Sequence, residues 1–271
     1  MKTKFKMNVS LIVAMIMFTI ISVHSQETDV KASTTTDFPV KEGWNFLVEP
    51  YGMFPNMSGD VGLKNLPEVS VNASPSDIIS NLHIGAMLYL EATKGKWNIN
   101  TDVLYMNLSQ GITNSKVVST GTVSAKQLGW ETAGLYSVIP NLQVGVGVLV
   151  NSIESEVNIN RNELIGDGTK NSSASLSETW VDAMLIASFV NKPGEKFIYK
   201  LRGEVGGFGI SGDSNFAWQV QGYAGYRFSE LFQLTAGYRV ISLDYATGTG
   251  SDKFLYDVDT YGGVIRFGFN F

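Results

Sequence analysis

Ten segments of this chain alternate apolar residues with small or polar ones, each for about ten positions. Period-two alternation makes a strand with two different faces. About ten residues is also the length a tilted strand needs to cross a bilayer. The clearest examples are Leu82–Glu91, Leu142–Asn151, Val181–Phe189, Trp218–Phe228 and Tyr261–Phe271. Alternation alone does not separate a soluble sandwich from a membrane barrel. The connections do, because they alternate short and long. Short ones fall at 93–96, 139–141, 191–195 and 229–231, and long ones at 52–81, 109–125, 152–177, 207–216 and 245–259. Four short turns and five long loops imply ten antiparallel strands with both ends on the short-turn side. Short inner turns and long outer loops are the habit of outer-membrane barrels. The fold expected over residues 42–271 is therefore an all-β antiparallel transmembrane β-barrel. Eight strands plus an external hairpin is the alternative count.

The start of the chain reads as an export signal. Lys2, Lys4 and Lys6 precede an apolar run, Val9–Ile21, too short for a spanning helix, and Val23-His24-Ser25 ends in a small residue. A signal peptide is expected over 1–25 and a flexible, Thr-rich periplasmic lead-in over 26–41. Past residue 25 the chain holds 17 basic and 25 acidic residues, a net charge of −8. That balance argues against nucleic acid as a partner. The absence of cysteine and the low share of charged residues, 17%, suit a strand-rich exported protein held by its ladder.

The chain ends inside a strand, with Phe267, Phe269 and Phe271 on one face. Such a stripe suits the aromatic girdle of a membrane interface. It also resembles the C-terminal signal read by the outer-membrane assembly machinery, which that resemblance implies as a partner. Several motifs in order carry a wider resemblance. They are Trp44–Gly59, Pro75-Ser76-Asp77-Ile78-Ile79 with Leu82, Gly95-Lys96-Trp97 with Asp102 and Tyr105, Glu204–Gly209, Ala217-Trp218-Gln219, Gly225–Phe228 and Gly237-Tyr238-Arg239. Together they resemble a widespread family of small outer-membrane β-barrels of Gram-negative bacteria, and Ile210-Ser211-Gly212 departs from its pattern. The resemblance implies the fold and a place in the outer membrane, among lipid and lipopolysaccharide, and brings no ligand or cofactor.

No catalytic constellation stands out. Of two histidines, His24 lies in the signal, and His83 is expected as an inward-facing, hydrogen-bonded residue of the second segment without an evident partner. Gly206-Gly207-Phe208-Gly209 reads as a tight bend at the rim, because no helix follows it as a phosphate loop requires. Charges on the inward faces are more informative. Glu49, Glu91, Asp102, Glu131 and Asp182 fall on the first six segments, and Lys200, Arg202, Glu204, Arg227, Arg239 and Arg266 on the last four. An acidic wall would thus face a mostly basic one. If the walls touch, they form a paired network filling the lumen; if water separates them, they set a transverse field across a pore. A narrow barrel favours the filled lumen. Ser74-Pro75-Ser76-Asp77 starts a short helix in the first long loop, with Ile78 and Ile79 as its apolar side, and this is the candidate plug. Two functions are open at this point: a small channel or transporter for small solutes, plugged by the first loop, or a closed barrel that acts through its surface. An enzyme is not expected.

Overall fold

A computed structural model describes residues 38, 42–63, 68–113, 118–162, 169–210 and 212–271. The expected signal and nearly all of the lead-in lie outside these residues. Eleven strands run in chain order: β1 Asn45–Leu63, β2 Val69–Ala73, β3 Leu82–Lys94, β4 Trp97–Thr113, β5 Val118–Ile139, β6 Leu142–Asn162, β7 Thr169–Val190, β8 Phe197–Gly206, β9 Phe216–Arg227, β10 Phe232–Thr247 and β11 Phe254–Asn270. An α-helix, α1 (Pro75–Ser80), joins β2 to β3, and a single 3-10 turn lies at Gly250–Asp252 between β10 and β11. Sequential neighbours from β3 to β11 pair antiparallel, and β1 pairs with both β3 and β11. The result is a closed barrel of ten strands. β2 is an addition to it, paired only with Met57–Val61 of β1.

Closure follows from the two chain ends. Phe46 and Phe271 exchange both backbone hydrogen bonds, at 3.1 and 2.8 Å. Outward positions are exposed and apolar: Trp97, Ile99, Val144, Val146, Val148, Val181, Leu185, Leu201, Val220, Ile265 and Phe267 are all more than a third exposed. Their inward neighbours are buried, as along β7, where Asp182, Met184, Ile186 and Ser188 alternate with exposed Val181, Ala183, Leu185 and Ala187. Aromatic rings crowd the short-turn end of this belt. Trp97 meets Tyr136 edge-on at 5.0 Å, Phe189 stacks near Tyr199 at 5.7 Å, and Phe232 approaches Phe269 at 5.7 Å.

The long connections differ from expectation. Most of 109–125 and 152–177 continue as paired strand, and so do the flanks of 245–259. Serine, threonine and asparagine dominate there. Such residues suit a ribbon wetted on both sides, whose backbone groups still pair best with each other. At about 3.3 Å per residue and a tilt of about 40°, the 22 residues of β5 or β7 rise roughly 55 Å. An apolar band of about 25 Å accounts for less than half of that. β8 and β9, with 10 and 12 residues, stop far lower.

Among the described residues, those between β8 and β9 form an outer loop that folds down, with Ser214 fully buried. Phe208 takes φ 53° and Gly207 φ 83°, turning the chain sharply. A side chain at Gly207 would place its Cβ 2.6 Å from the Ser214 carbonyl oxygen. Gly207→Val should therefore loosen this loop, at a cost of about 1–2 kcal/mol from backbone strain alone. Guanidinium unfolding in micelles would read it as a lowered midpoint, while Gly203→Val, whose Cβ meets open space, should leave the midpoint nearly unchanged.

α1 begins with a capping box. The Ser74 hydroxyl accepts from the Asp77 backbone N–H at 3.3 Å, and the Asp77 carboxylate accepts from the Ser74 N–H at 3.0 Å. The Ser74 hydroxyl also donates to Asp77 at 2.6 Å. These bonds from Ser74 hold the Asp77 carboxyl below the usual carboxylate range. A depressed pKa means that the cap is favoured at neutral pH and lost as the pH falls through that lowered value. In Ser74→Ala, the Asp77 titration followed by carboxyl-carbon NMR should move up toward that of an ordinary aspartate.

Candidate functional site

Inward side chains fill the lumen in layers. At the short-turn end lies a cavity of ≈ 1450 Å³, bounded by turn residues such as Gly95, Pro140, Pro193 and Glu230. Its inner boundary includes Glu49, Glu91, Asn98, Lys200, Tyr223 and Arg266. From there a connected polar layer crosses the barrel.

Lys200 on β8 reaches Glu91 on β3 at 3.1 Å and the Tyr89 hydroxyl at 2.7 Å. Arg266 on β11 donates to Glu49 on β1 at 3.3 Å, to Gln221 at 3.3 Å and to the Tyr223 hydroxyl at 3.0 Å. Its guanidinium also sits 4.3, 4.7 and 4.9 Å from the ring centres of Tyr223, Tyr51 and Tyr89, a three-sided aromatic cage. Arg239 on β10 donates to Asp102 on β4 at 3.0 Å and to the Gln219 side-chain oxygen at 2.8 Å. Tyr51 donates to Asp102 at 2.6 Å. Gln219 passes the chain on, donating to Glu131 at 2.6 Å and to Glu204. Arg202 closes it, held by Glu131, Glu204 and, at 2.9 Å, the Asn100 oxygen. Five carboxyl groups here face four cations, and most of these side chains are at least nine-tenths buried.

Nine of the eleven charges singled out from sequence therefore meet across the lumen. Two stand elsewhere. Arg227 lies at the short-turn rim, donating to the carbonyls of Ser229 (3.3 Å) and Glu230 (2.6 Å), with the Phe38 ring at 5.1 Å. It is the last residue of β9, so the turn carbonyls capture it before it can reach inward. Asp182 lies in the outer layer. It accepts from the Ser214 N–H (2.7 Å), the Ser214 hydroxyl (2.9 Å) and Asn151 (3.2 Å), so it pins the 207–215 loop.

The outer layer is apolar. Trp180 lies flat on Tyr245 at 4.2 Å with 7° between the planes, and Phe254 and Tyr256 flank it at 6.3 and 6.1 Å. Leu135, Met184, Ile186, Leu243 and Val258 complete the cluster. The Trp180 indole N–H is satisfied by the Ser214 hydroxyl at 2.9 Å. Between this cluster and the ionic layer remains a void of ≈ 30 Å³, on the scale of one or two waters.

Sequence reasoning placed Tyr89, Tyr223, Gln219, Gln221 and Trp180 on inward faces but not in the site. Their signal was that they share alternation parity with the charges. Tyr51, Tyr245, Phe254 and Tyr256 lie beyond the alternating segments legible in the sequence, at the edge of or inside stretches that read as outer connections. α1 is not among the groups closing the lumen. It packs against β1, and its buried Ile78 belongs to neither lumen cluster. Pro75 is half-buried, and Asp77 and Ile79 are exposed. His83 is exposed too, at a register break between Leu82 and Ile84, so it is not the lumen residue expected. Among the described residues no group of three or more His, Cys, Asp or Glu could hold a metal ion.

No family model matches the chain, and no curated sequence matches it. Solved structures do, at low identity. The attachment invasion locus protein of Yersinia pestis, solved with the heparin analogue sucrose octasulfate, is 12% identical, with 85% of this chain and 100% of that one covered and a TM-score of 0.36. The outer membrane protease OmpT of Escherichia coli is 8% identical over 84% and 96%, with a TM-score of 0.45. The toluene transporter TbuX of Ralstonia pickettii is 9% identical over 85% and 90%, with a TM-score of 0.37.

Removing Arg202 would strand Glu131 and Glu204 together. Arg202→Met should cost about 3–5 kcal/mol, the usual penalty for breaking a buried pair from one side. Guanidinium unfolding in lipid vesicles, followed by tryptophan fluorescence, is the measurement. Loss of less than about 1 kcal/mol would mean that water reaches this layer.

Proposed function

We propose that this chain is an integral outer-membrane β-barrel with a closed lumen, acting through its tall outer hairpins as a surface-interaction protein. The observation that carries this reading is the unbroken stack of ionic layer and aromatic layer across the barrel. A conducting path would have to part Arg202, Arg239 and Arg266 from their carboxylates and separate Trp180 from Tyr245 as well. Membrane placement rests on the exposed apolar belt and its aromatic rim, since a belt facing water on every strand would be an aggregation liability. On this reading the signal over 1–25 exports the chain, and Phe267, Phe269 and Phe271 form the stripe offered to the assembly machinery. The outer hairpins rise beyond the belt among lipopolysaccharide. Any enzymatic role would have to do without a buried His83.

The ≈ 1450 Å³ cavity at the short-turn end favours a second reading, a transporter of small polar solutes whose gate is the ionic layer. Single-channel recording of the refolded protein in a planar bilayer separates the two. The closed barrel predicts no stepwise conductance, either in the wild type or after deletion of 70–78, a segment whose buried Ile78 belongs to neither lumen cluster. Steps in the folded wild type that change with Glu131→Ala would replace this reading with the gated transporter.

A further inference from the structure

Within the belt, and among the described residues, the barrel wall is incomplete between β1 and β3. β1 pairs with β3 only from Asn45 to Pro50, opposite Thr93 to Leu88. It pairs with β2 only from Met57 to Val61. Between them, residues 51–56 of β1 have strand partners on the β11 side alone, and residues 82–87 of β3 on the β4 side alone. The slit is six residues long, roughly 20 Å at the usual strand rise.

The direction of the backbone groups follows from closure. Phe46 bonds to β11, so even-numbered residues of β1 point their N–H and C=O toward β11, and odd-numbered ones toward β3. Tyr51 and Met53 therefore aim unladdered backbone groups into the slit. Pro55, also odd, has no N–H to offer, so a proline sits where it blocks the ladder on that edge.

Exposure along β3 records the same gap. Below it, Tyr89 is 2% exposed and Leu90 36%, as a wall strand requires. Within it, Leu82 to Ala86 are five consecutive exposed residues, on both faces. The slit lies beside Gly52–Ile265 and Phe54–Gly263, in the apolar belt, and ends near Tyr261 at the belt's outer edge. α1 runs from its upper end, where Ala73 stands opposite Met57, to the start of β3. The helix buries Ile78 and leaves Ile79 exposed at 47%, and Leu82 at the start of β3 is 37% exposed. Phe54 and Ile84, at 46% and 52%, are the other large apolar groups at the rim.

Polar backbone open to hydrocarbon is costly and is tolerated only where something polar meets it. The surroundings at this depth are lipid chains. We propose that the slit between β1 and β3 is a lateral site for an amphipathic lipid of the outer leaflet. Its polar group meets the backbone of Pro55 and His83 at the slit's upper end, and its acyl chain runs down past Phe54, Ile84 and Leu88, all exposed on the outer face. This site is separate from the lumen and rests on the proposed function only through the membrane position of the belt.

The test uses the full barrel folded in dodecyl maltoside micelles, with fold checked by heat-dependent gel mobility, and a diazirine-bearing palmitic acid as probe. After illumination, labelled positions are mapped by mass spectrometry, with and without excess oleic acid. Labelling at 52–56 and 79–88 should saturate at about one probe per chain and fall at least tenfold with oleic acid. Labelling at Val144, Val146 and Val148 on the far wall should be weak and uncompeted. Gly52→Trp and Ala86→Trp, which fill the slit from outside, should reduce the competed labelling tenfold, and Gly134→Trp should not. Even, uncompeted labelling around the wild-type belt would overturn the site while leaving the membrane reading intact. A folded chain that fails to enter micelles would overturn both.

Discussion

The pair of backbone hydrogen bonds between Phe46 and Phe271 decides what this chain can be. A sheet with two free edges cannot sit in hydrocarbon, because each unpaired N–H or C=O there costs several kcal/mol, by the usual estimate of about 2–7 for burial without a partner. Joining the first strand to the last removes both edges, save along the six-residue slit between β1 and β3. The ring then has an outside and an inside, and period-two alternation sends one set of side chains to each. Everything described in the lumen is a consequence of that sorting.

Closure also sets the problem that the lumen solves. Ten strands enclose a space too narrow for bulk water through its middle, yet the inward parity carries many ionisable groups. Charges in such a place must find partners. They do so by reaching across the ring: Lys200 to Glu91, Arg239 to Asp102, Arg202 to Glu131. Glutamines and tyrosines supply the joints, because Gln219 accepts from one arginine while donating to two carboxyl groups. Arg266 adds a different device, three tyrosine faces around one guanidinium. These three ion pairs cross between strands that are distant in the chain, so they brace the ring against ovalisation.

Much of this was legible in the sequence, for a physical reason. Alternation is a property of single strands, so Asp182 against Val181, or Arg239 against Tyr238, can be read without knowing any partner. Strand number followed from the turns, where Gly95 and Pro140-Asn141 mark tight reversals. Three things were hidden. Strand length above the belt was one, because Ser, Thr and Asn in a wetted ribbon look like loop. The fate of a charge at a strand end was another, as Arg227 shows by turning to nearby carbonyls. Last was the wall between β1 and β3, where Pro55 is a visible signal whose meaning depends on which way the N–H of its neighbours points. α1 carried a clear capping signature, but capping says where a helix starts and nothing about what it lies against.

The unequal heights of the hairpins make the outer rim lopsided. β5, β6 and β7 stand as a tall palisade, while β8 and β9 end low and leave a notch beside it. There the aromatic cluster is roofed by nine residues, 207–215, fastened chiefly through Ser214 to Asp182 and Trp180. On the outer side this corner is the most thinly covered, so amide protons of the aromatic layer should exchange with solvent from the β8–β9 side toward the palisade.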